Sequence, residues 1–259
     1  MSDLIPAATV ILLRDRPSLE VLMVERHANI AFAGGALVFP GGRIDNGDRD
    51  PNWRKHCVGL DDIPQEELAP RIASIREAFE ETGVLLARRG QNTLSGEEAL
   101  LLGDWRSKVE ADDSLFLELV KRENLQLDLS SLHLFARWRP PGNVQHRRYD
   151  TWFFAASAPA DQVARADGGE ATEIVWTTPA AALAARDCGD RKMIFPTSRN
   201  VELLGVSASA AEAFDFAARR SIRAIEPEIV ERNARYYLTI PTDMGYPVTE
   251  EALDSAMRS

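Results

Sequence analysis

The chain has 259 residues, 45% of them hydrophobic, enough to bury a full core in one domain. Its formal charge of −10 and pI near 5.0 speak against a nucleic-acid or membrane-surface partner, because neither a phosphodiester backbone nor anionic lipid is attracted by such a field. Two cysteines, Cys57 and Cys188, lie far apart without CxxC spacing, which disfavours a disulfide framework and a thiolate metal site.

The first residues, MSDLIPAATVILLRDRP, lack a basic segment followed by a long apolar run, and no apolar stretch approaches ~20 residues. The sequence therefore predicts a soluble, cytoplasmic protein; its last residues, MRS, do not spell the SKL peroxisomal address. Residues 7–13 and 19–24 are apolar and β-branched around a turn-like segment at 14–18, which predicts a hairpin. A short apolar run at 36–39 reads as a third strand that delivers Gly41 and Gly42 behind Pro40. Residues 46–70 contain Gly47, Pro51, Gly59, Pro64 and Pro70 among polar residues and read as a loop with short helical turns. Pro70 suits the first turn of the next helix, where its missing N–H costs little.

That helix carries the densest signal in the chain. Ile72, Ile75, Phe79 and Leu86 form an apolar stripe, while Glu77, Glu80 and Glu81 fall at i, i+3 and i+4 on the other side. Like charges at this spacing cost a few tenths of a kcal/mol per pair, roughly, and a bound hard cation would reverse the sign of that cost. From spacing alone the acids fit either a solvated helix face or a magnesium or manganese site, with Asp45 and Asp48 as further oxygen donors. Gly83 stands where such a helix would end.

Beyond it, Leu100, Leu101, Trp105, Val109, Leu115, Leu119 and Val120 predict two helices within residues 96–127, as structural cover or as part of a lid. Residues 132–138 and 148–156 read as strands split by Pro140-Pro141-Gly142. A strand at 173–177, helices at 180–185, 200–204 and 209–220, a strand through Tyr236, Tyr237 and Leu238, and the turn-rich IPTDMGYP complete the chain. Arg147 and Arg148 open a predicted strand and could contact phosphate, or pair with Asp150. The four histidines have no mutual spacing that suggests a metal site or triad, and no GxSxG or Walker loop is present.

FPGG at 39–42, a following acid, and REAFEETGV at 76–84 together resemble the Nudix box, in which G and five residues precede a glutamate and seven more precede REUxEExGU. Ala78 and Val84 take the aliphatic positions of its second half. The chain departs from the pattern at Asp48, where the family has glutamate, and in the 27 residues that separate Asp48 from Arg76. A box split in this way is similar to the branch of the family that includes the peroxisomal CoA diphosphatase. RIDNGDRDPNW at 43–53, RRYDTWFF at 147–154, FPT at 195–197 and GYP at 245–247 extend the likeness. Val21-Leu22-Met23, Arg26, Gly35 and the FPGG also follow a CoA-directed pattern, with His27 and Ala31 in place of its serine and second arginine.

The resemblance implies an α/β fold: an α/β/α sandwich with a mixed sheet, one domain over 1–259, with insertions at about 49–69 and, helical, at about 91–128. It implies metal-dependent cleavage of a diphosphate bond in a nucleoside diphosphate derivative, with CoA or acyl-CoA as leading substrate. ADP-ribose, a dinucleotide, or a non-catalytic nucleotide-binding role are the alternatives. Glu77, Glu80 and Glu81 would hold Mg2+ or Mn2+, with Glu77 or Glu80 as base, and Arg76 would orient a glutamate. Gly41, Gly42, Arg26, Arg147 and Arg148 are the substrate-side candidates. An additional acid from outside the helix is expected at Glu170 or Glu173, and a homodimer is left open.

Overall fold

The computed structural model describes residues 4–28, 33–142 and 148–256. Arg147, one of the phosphate candidates, lies outside them. The chain opens with strand β1 (Ile5–Asp15), which turns back into β2 (Leu19–Arg26), and the two pair antiparallel through Leu13–Val21 to Asp15–Leu19. Two short strands follow, β3 (Leu37–Val38) against β2 and β4 (Gly41–Arg43) against the first half of β1. The insertion contributes 3-10 turns and the short β5 (Cys57–Val58) before helix α1 (Leu68–Thr82).

After α1 come β6 (Ala87–Arg89), β7 (Asn92–Thr93), α2 (Gly96–Leu101), α3 (Arg106–Ala111), α4 (Ser114–Arg122) and β8 (Gln126–Asp128). Strands β9 (His133–Trp138), β10 (Tyr149–Ser157) and β11 (Ala171–Thr177) return to the main sheet. The chain ends with α5 (Pro179–Asp187), α6 (Phe195–Leu204), α7 (Ala210–Ala218), β12 (Ala224–Ile225), β13 (Glu228–Arg232), β14 (Arg235–Thr239), β15 (Glu250–Ala252) and α8 (Leu253–Ala256).

The main sheet has the order β11-β2-β1-β10-β9-β12, parallel between β1 and β10 and between β9 and β12, antiparallel elsewhere. It is a mixed sheet covered on both faces, as the sequence leads one to expect. Along β1, Ala8, Val10 and Leu12 point into one core with Ile72, Ile75 and Phe79 of α1. Ile11 and Leu13, one residue out of phase, point into the other with Val201 and Leu204 of α6 and Ala213 of α7. Period-2 alternation thus splits one apolar strand between two layers.

Helix α1 differs from the amphipathic helix of the sequence in two ways. It ends at Thr82, because Gly83 takes φ of +73° as the left-handed cap, so Leu86 lies beyond it and the stripe is Ile72, Ile75 and Phe79 alone. And its acid side is buried, as the insertions and β4 cover what would otherwise be a solvated face. Its start is tied down by Arg71, which pairs with Glu67 at 2.6 Å and donates to the carbonyls of Leu129 and Leu132.

Where the sequence predicts two helices within 96–127, three form. Ser95 and Glu98 make a capping box at the start of α2, and the Asp112 side chain accepts from Ser114 N–H at 3.1 Å, which starts α4 separately from α3. Both insertions reach α1 through aromatic contacts: Phe116 of α4 lies 5.4 Å from Trp53 of the first insertion and 6.3 Å from Phe79 of α1, ring centre to ring centre. Among the described residues no helix is long and apolar enough to cross a membrane.

Phe116→Ala should cost about 3–5 kcal/mol, since it removes a fully buried ring from between Trp53 and Phe79, and urea denaturation should read the loss as a lower midpoint. Burial pushes the Cys57 thiol up to about 12, whereas Cys188 is exposed. A thiol reagent near pH 8 should therefore label one cysteine, Cys188, in the native protein and both after unfolding, as mass spectrometry of the modified peptides would report.

Candidate active site

Strand β4 sets the floor of the site. Its backbone pairs with Thr9 and Ala8 of β1 and runs beside α1, so close that a Cβ on Gly42 would sit 2.5 Å from Glu77 Oε2. Only glycine leaves room for the carboxylate there. Gly41 N–H in turn donates to Glu81 Oε2 at 3.1 Å. The glycine pair and the acid helix, 35 residues apart in sequence between Gly42 and Glu77, are thereby in direct contact.

Arg76 organises the opposite side. It is 2% exposed and its guanidinium has five partners: Nε and Nη2 donate to the two oxygens of Asp48 at 2.9 and 3.0 Å, Nη2 also to the Arg43 carbonyl at 2.8 Å and lies 3.6 Å from Asp45, and Nη1 meets Glu77 and Glu80, each at 2.9 Å. The planar fork matches this arrangement as an ammonium could not. Burial alone would favour a neutral Arg76, but the Asp48 hydrogen bond and the Glu77, Asp48 and Glu80 charges outweigh it and hold its pKa above the ordinary arginine value.

Asp48 changes role with this geometry. The sequence reads it as an oxygen donor to the site; in the structure it is 2% exposed and both its oxygens are spent, on Arg76 and on Asp45 N–H at 2.9 Å. It anchors the guanidinium instead.

Glu77, Glu80 and Glu81 are 8%, 9% and 4% exposed. Burial raises the pKa of all three: Glu77 well above its usual value, with Arg76 opposing and the neighbouring carboxylates adding to the rise; Glu80 to about 7, with Arg76 opposing; and Glu81 to about 8, with Arg26 and Gly41 N–H opposing. Three desolvated carboxylates on adjacent turns lack enough positive charge, since one guanidinium serves Asp48, Glu77 and Glu80 together.

The outer candidates divide. Arg26, at the end of β2, lies 3.8 Å from Glu81 and 3.3 Å from Glu170, so Glu170 joins the acid helix through it. Glu173, within β11, pairs instead with Arg191 at 2.8 Å. Arg148 lies 3.9 Å from Glu226, and Asp150, the alternative partner, is held by Arg137 and Arg139 at 2.7 and 2.9 Å. Among the described residues Glu173 forms no ion pair with Arg76 or Arg26, the carboxylates' own partners, and Arg148 forms none with Glu77, Glu80 or Glu81.

Three residues escape the sequence reading. Arg106 of α3 donates to the Glu80 carbonyl at 3.0 Å; Glu110 acts on Glu80, and Asp167 on Glu81, through their charges. Arg106 and Glu110 are four apart on one helix face, and Asp167 shapes its own loop by accepting from Glu170 and Ala171 N–H. The sequence carries these local patterns but not the fact that they face α1.

A divalent cation fits this donor set, which is made of hard carboxylate oxygens carrying a net deficit of positive charge. Glu77, Glu80 and Glu81 are the residues that would hold it. Among the described residues no three such side chains already surround a common point. Glu77 and Glu80 turn an oxygen to Arg76 and Glu81 turns one to Gly41, so assembly requires the side chains to reorient.

Comparison with known proteins agrees with the geometry. The family model described as the NUDT19 Nudix domain matches residues 56–196. The chain is 28% identical to a Xenopus laevis protein named acyl-coenzyme A diphosphatase NUDT19, over 88% of this chain and 71% of that one. It is 27% identical to the human protein of the same name, over 80% of this chain and 66% of that one, so it spans just under two thirds of the human relative. A solved structure of a Nudix hydrolase from Alicyclobacillus acidocaldarius superposes with a TM-score of 0.70 at 27% identity, covering 83% of this chain and 97% of that one.

Asp48→Asn should destabilise the protein by about 3 kcal/mol, because it leaves the buried Arg76 charge without its main partner. A thermal melt should show Tm lower by roughly 6–12 °C. An unchanged Tm would mean that the pair contributes nothing net.

Proposed function

The chain belongs to the Nudix family, and from that premise we propose that it hydrolyses the diphosphate bond of CoA or acyl-CoA, giving 3′,5′-ADP and the phosphopantetheine product. It is a diphosphatase of one small-molecule nucleotide substrate, with Mg2+ or Mn2+ as its cofactor. The observation that carries this reading is the buried cluster of Glu77, Glu80 and Glu81 against Gly41 and Gly42. Ionising three such carboxylates in place is costly without a cation, and a diphosphate needs its own oxygens neutralised before water can attack.

A bound divalent ion would neutralise the diphosphate oxygens and lower the pKa of the attacking water. The chain's own residues do the rest. Glu77, Glu80 and Glu81 would hold the ion, and Glu77 or Glu80 would take the proton from the water. Arg76, one nitrogen of which meets both Glu77 and Glu80, orients the pair on the same side of α1. Gly42 lets Glu77 lie on the strand, and Arg26, beside Glu81 with its Nε unpartnered, is assigned to a substrate phosphate. The relatives named as acyl-coenzyme A diphosphatases support the substrate; the carboxylate cluster supports the chemistry.

The test is a substrate panel of CoA, acyl-CoAs, ADP-ribose, NADH and diadenosine polyphosphates with Mg2+ or Mn2+. CoA or an acyl-CoA should give the highest kcat/KM, and chelation should abolish turnover. Glu81→Gln should lower kcat at least about 100-fold with little change in Tm, since a neutral amide is a poor ligand for a hard cation. Preference for ADP-ribose would overturn the substrate, and full activity of the variant would overturn the site.

A further inference from the structure

We propose that Arg106, supplied by the helical insertion, is a positioning residue for the carboxylates of α1, so that the insertion serves as a clamp on the acid helix. The inference rests on the cation-binding reading of Glu77, Glu80 and Glu81 and deepens it. The last carbonyls of any helix lack intrahelical donors, and α1 is no exception at its carboxyl end. Gly83 N–H reaches back to Phe79 O at 2.9 Å, but Val84 N–H donates to Thr82 Oγ1 at 3.2 Å, so the Glu80 carbonyl is left without a backbone donor. Arg106 Nε fills that place at 3.0 Å.

Two further facts make the contact more than a surface bond. The Arg106 guanidinium lies against Gly83, 3.6 Å from where a Cβ would be, and packs over the left-handed cap that stops the helix. Its Nη2 is buried and has no hydrogen-bond partner, and burial disfavours its charge while Asp167 and Glu110 favour it. A guanidinium desolvated at this cost is held by its surroundings, and a cation at the carboxyl end of a helix is favoured by the backbone dipoles. Another carbonyl of the same turn, Thr82 O, accepts from Arg165 N–H at 2.8 Å. The final turn of α1, which carries Glu80 and Glu81, is thus fixed by two remote segments.

Without the clamp the last turn of α1 would fray, and the two carboxylates would lose their common orientation. Arg106→Met keeps the apolar stem and removes the donors. Titrated with Mn2+ alone and followed by calorimetry, this variant should show a Kd about 10- to 100-fold above that of the native protein. Arg106→Lys, with one donor in reach of the carbonyl, should recover most of the affinity, and Lys108→Ala on the same helix should bind as the native protein does. Native affinity in Arg106→Met would overturn the proposal, as would an equal loss in Lys108→Ala, which would mean that the insertion is merely loosened. A native protein that binds Mn2+ yet cleaves no CoA counts against the substrate and leaves the clamp standing.

Discussion

The guanidinium of Arg76 joins elements that the chain keeps far apart. It binds Asp48 and the Arg43 carbonyl before the first insertion and Glu77 and Glu80 after it, with each of these contacts between 2.8 and 3.0 Å. Taking four charged groups out of water is expensive, and ion pairing in the interior repays that only with full hydrogen bonding. Arg76 meets the condition for itself but not for the acids. Glu81 lies outside its reach and relies on Arg26 and one backbone N–H. The remaining shortage of positive charge is the physical reason to expect a cation at this helix.

The insertions make sense in the same terms. A helix with three glutamates on one side would be an ordinary surface element if that side faced water. Here Trp53 from one insertion packs at a tilt on Phe116 from the other, which stacks on Phe79, while Arg106 closes the helix end. Each apolar ring buried in that stack contributes on the order of 2–3 kcal/mol. That packing holds the covering layer over the acids and sustains their desolvation.

Much of the architecture is legible in local pattern. The β1–β2 hairpin follows from two apolar runs around a turn, and Gly83 marks the end of α1 because only a residue without Cβ takes φ of +73° easily. The third helix within 96–127 is missed because the break rests on one side-chain contact, Asp112 accepting from Ser114 N–H, which apolar spacing does not register. The role of Asp48 is hidden for a different reason: an acid near a glycine loop looks like a ligand, and only burial against Arg76 shows that both its oxygens are taken. Glu173 and Arg148 pair with Arg191 and Glu226, contacts that no local pattern announces. Arg106, Glu110 and Asp167 are illegible because nothing local encodes which distant helix they face.

A divalent ion shared by the carboxylates of one buried helix is the central requirement. The most direct measurement is the anomalous difference density of crystals grown with Mn2+. It should show one or more peaks about 2.0–2.2 Å from carboxylate oxygens of Glu80 and Glu81, beside Gly41 and Gly42. Manganese bound elsewhere, with Glu80 and Glu81 still directed to Arg76 and Gly41, would contradict it.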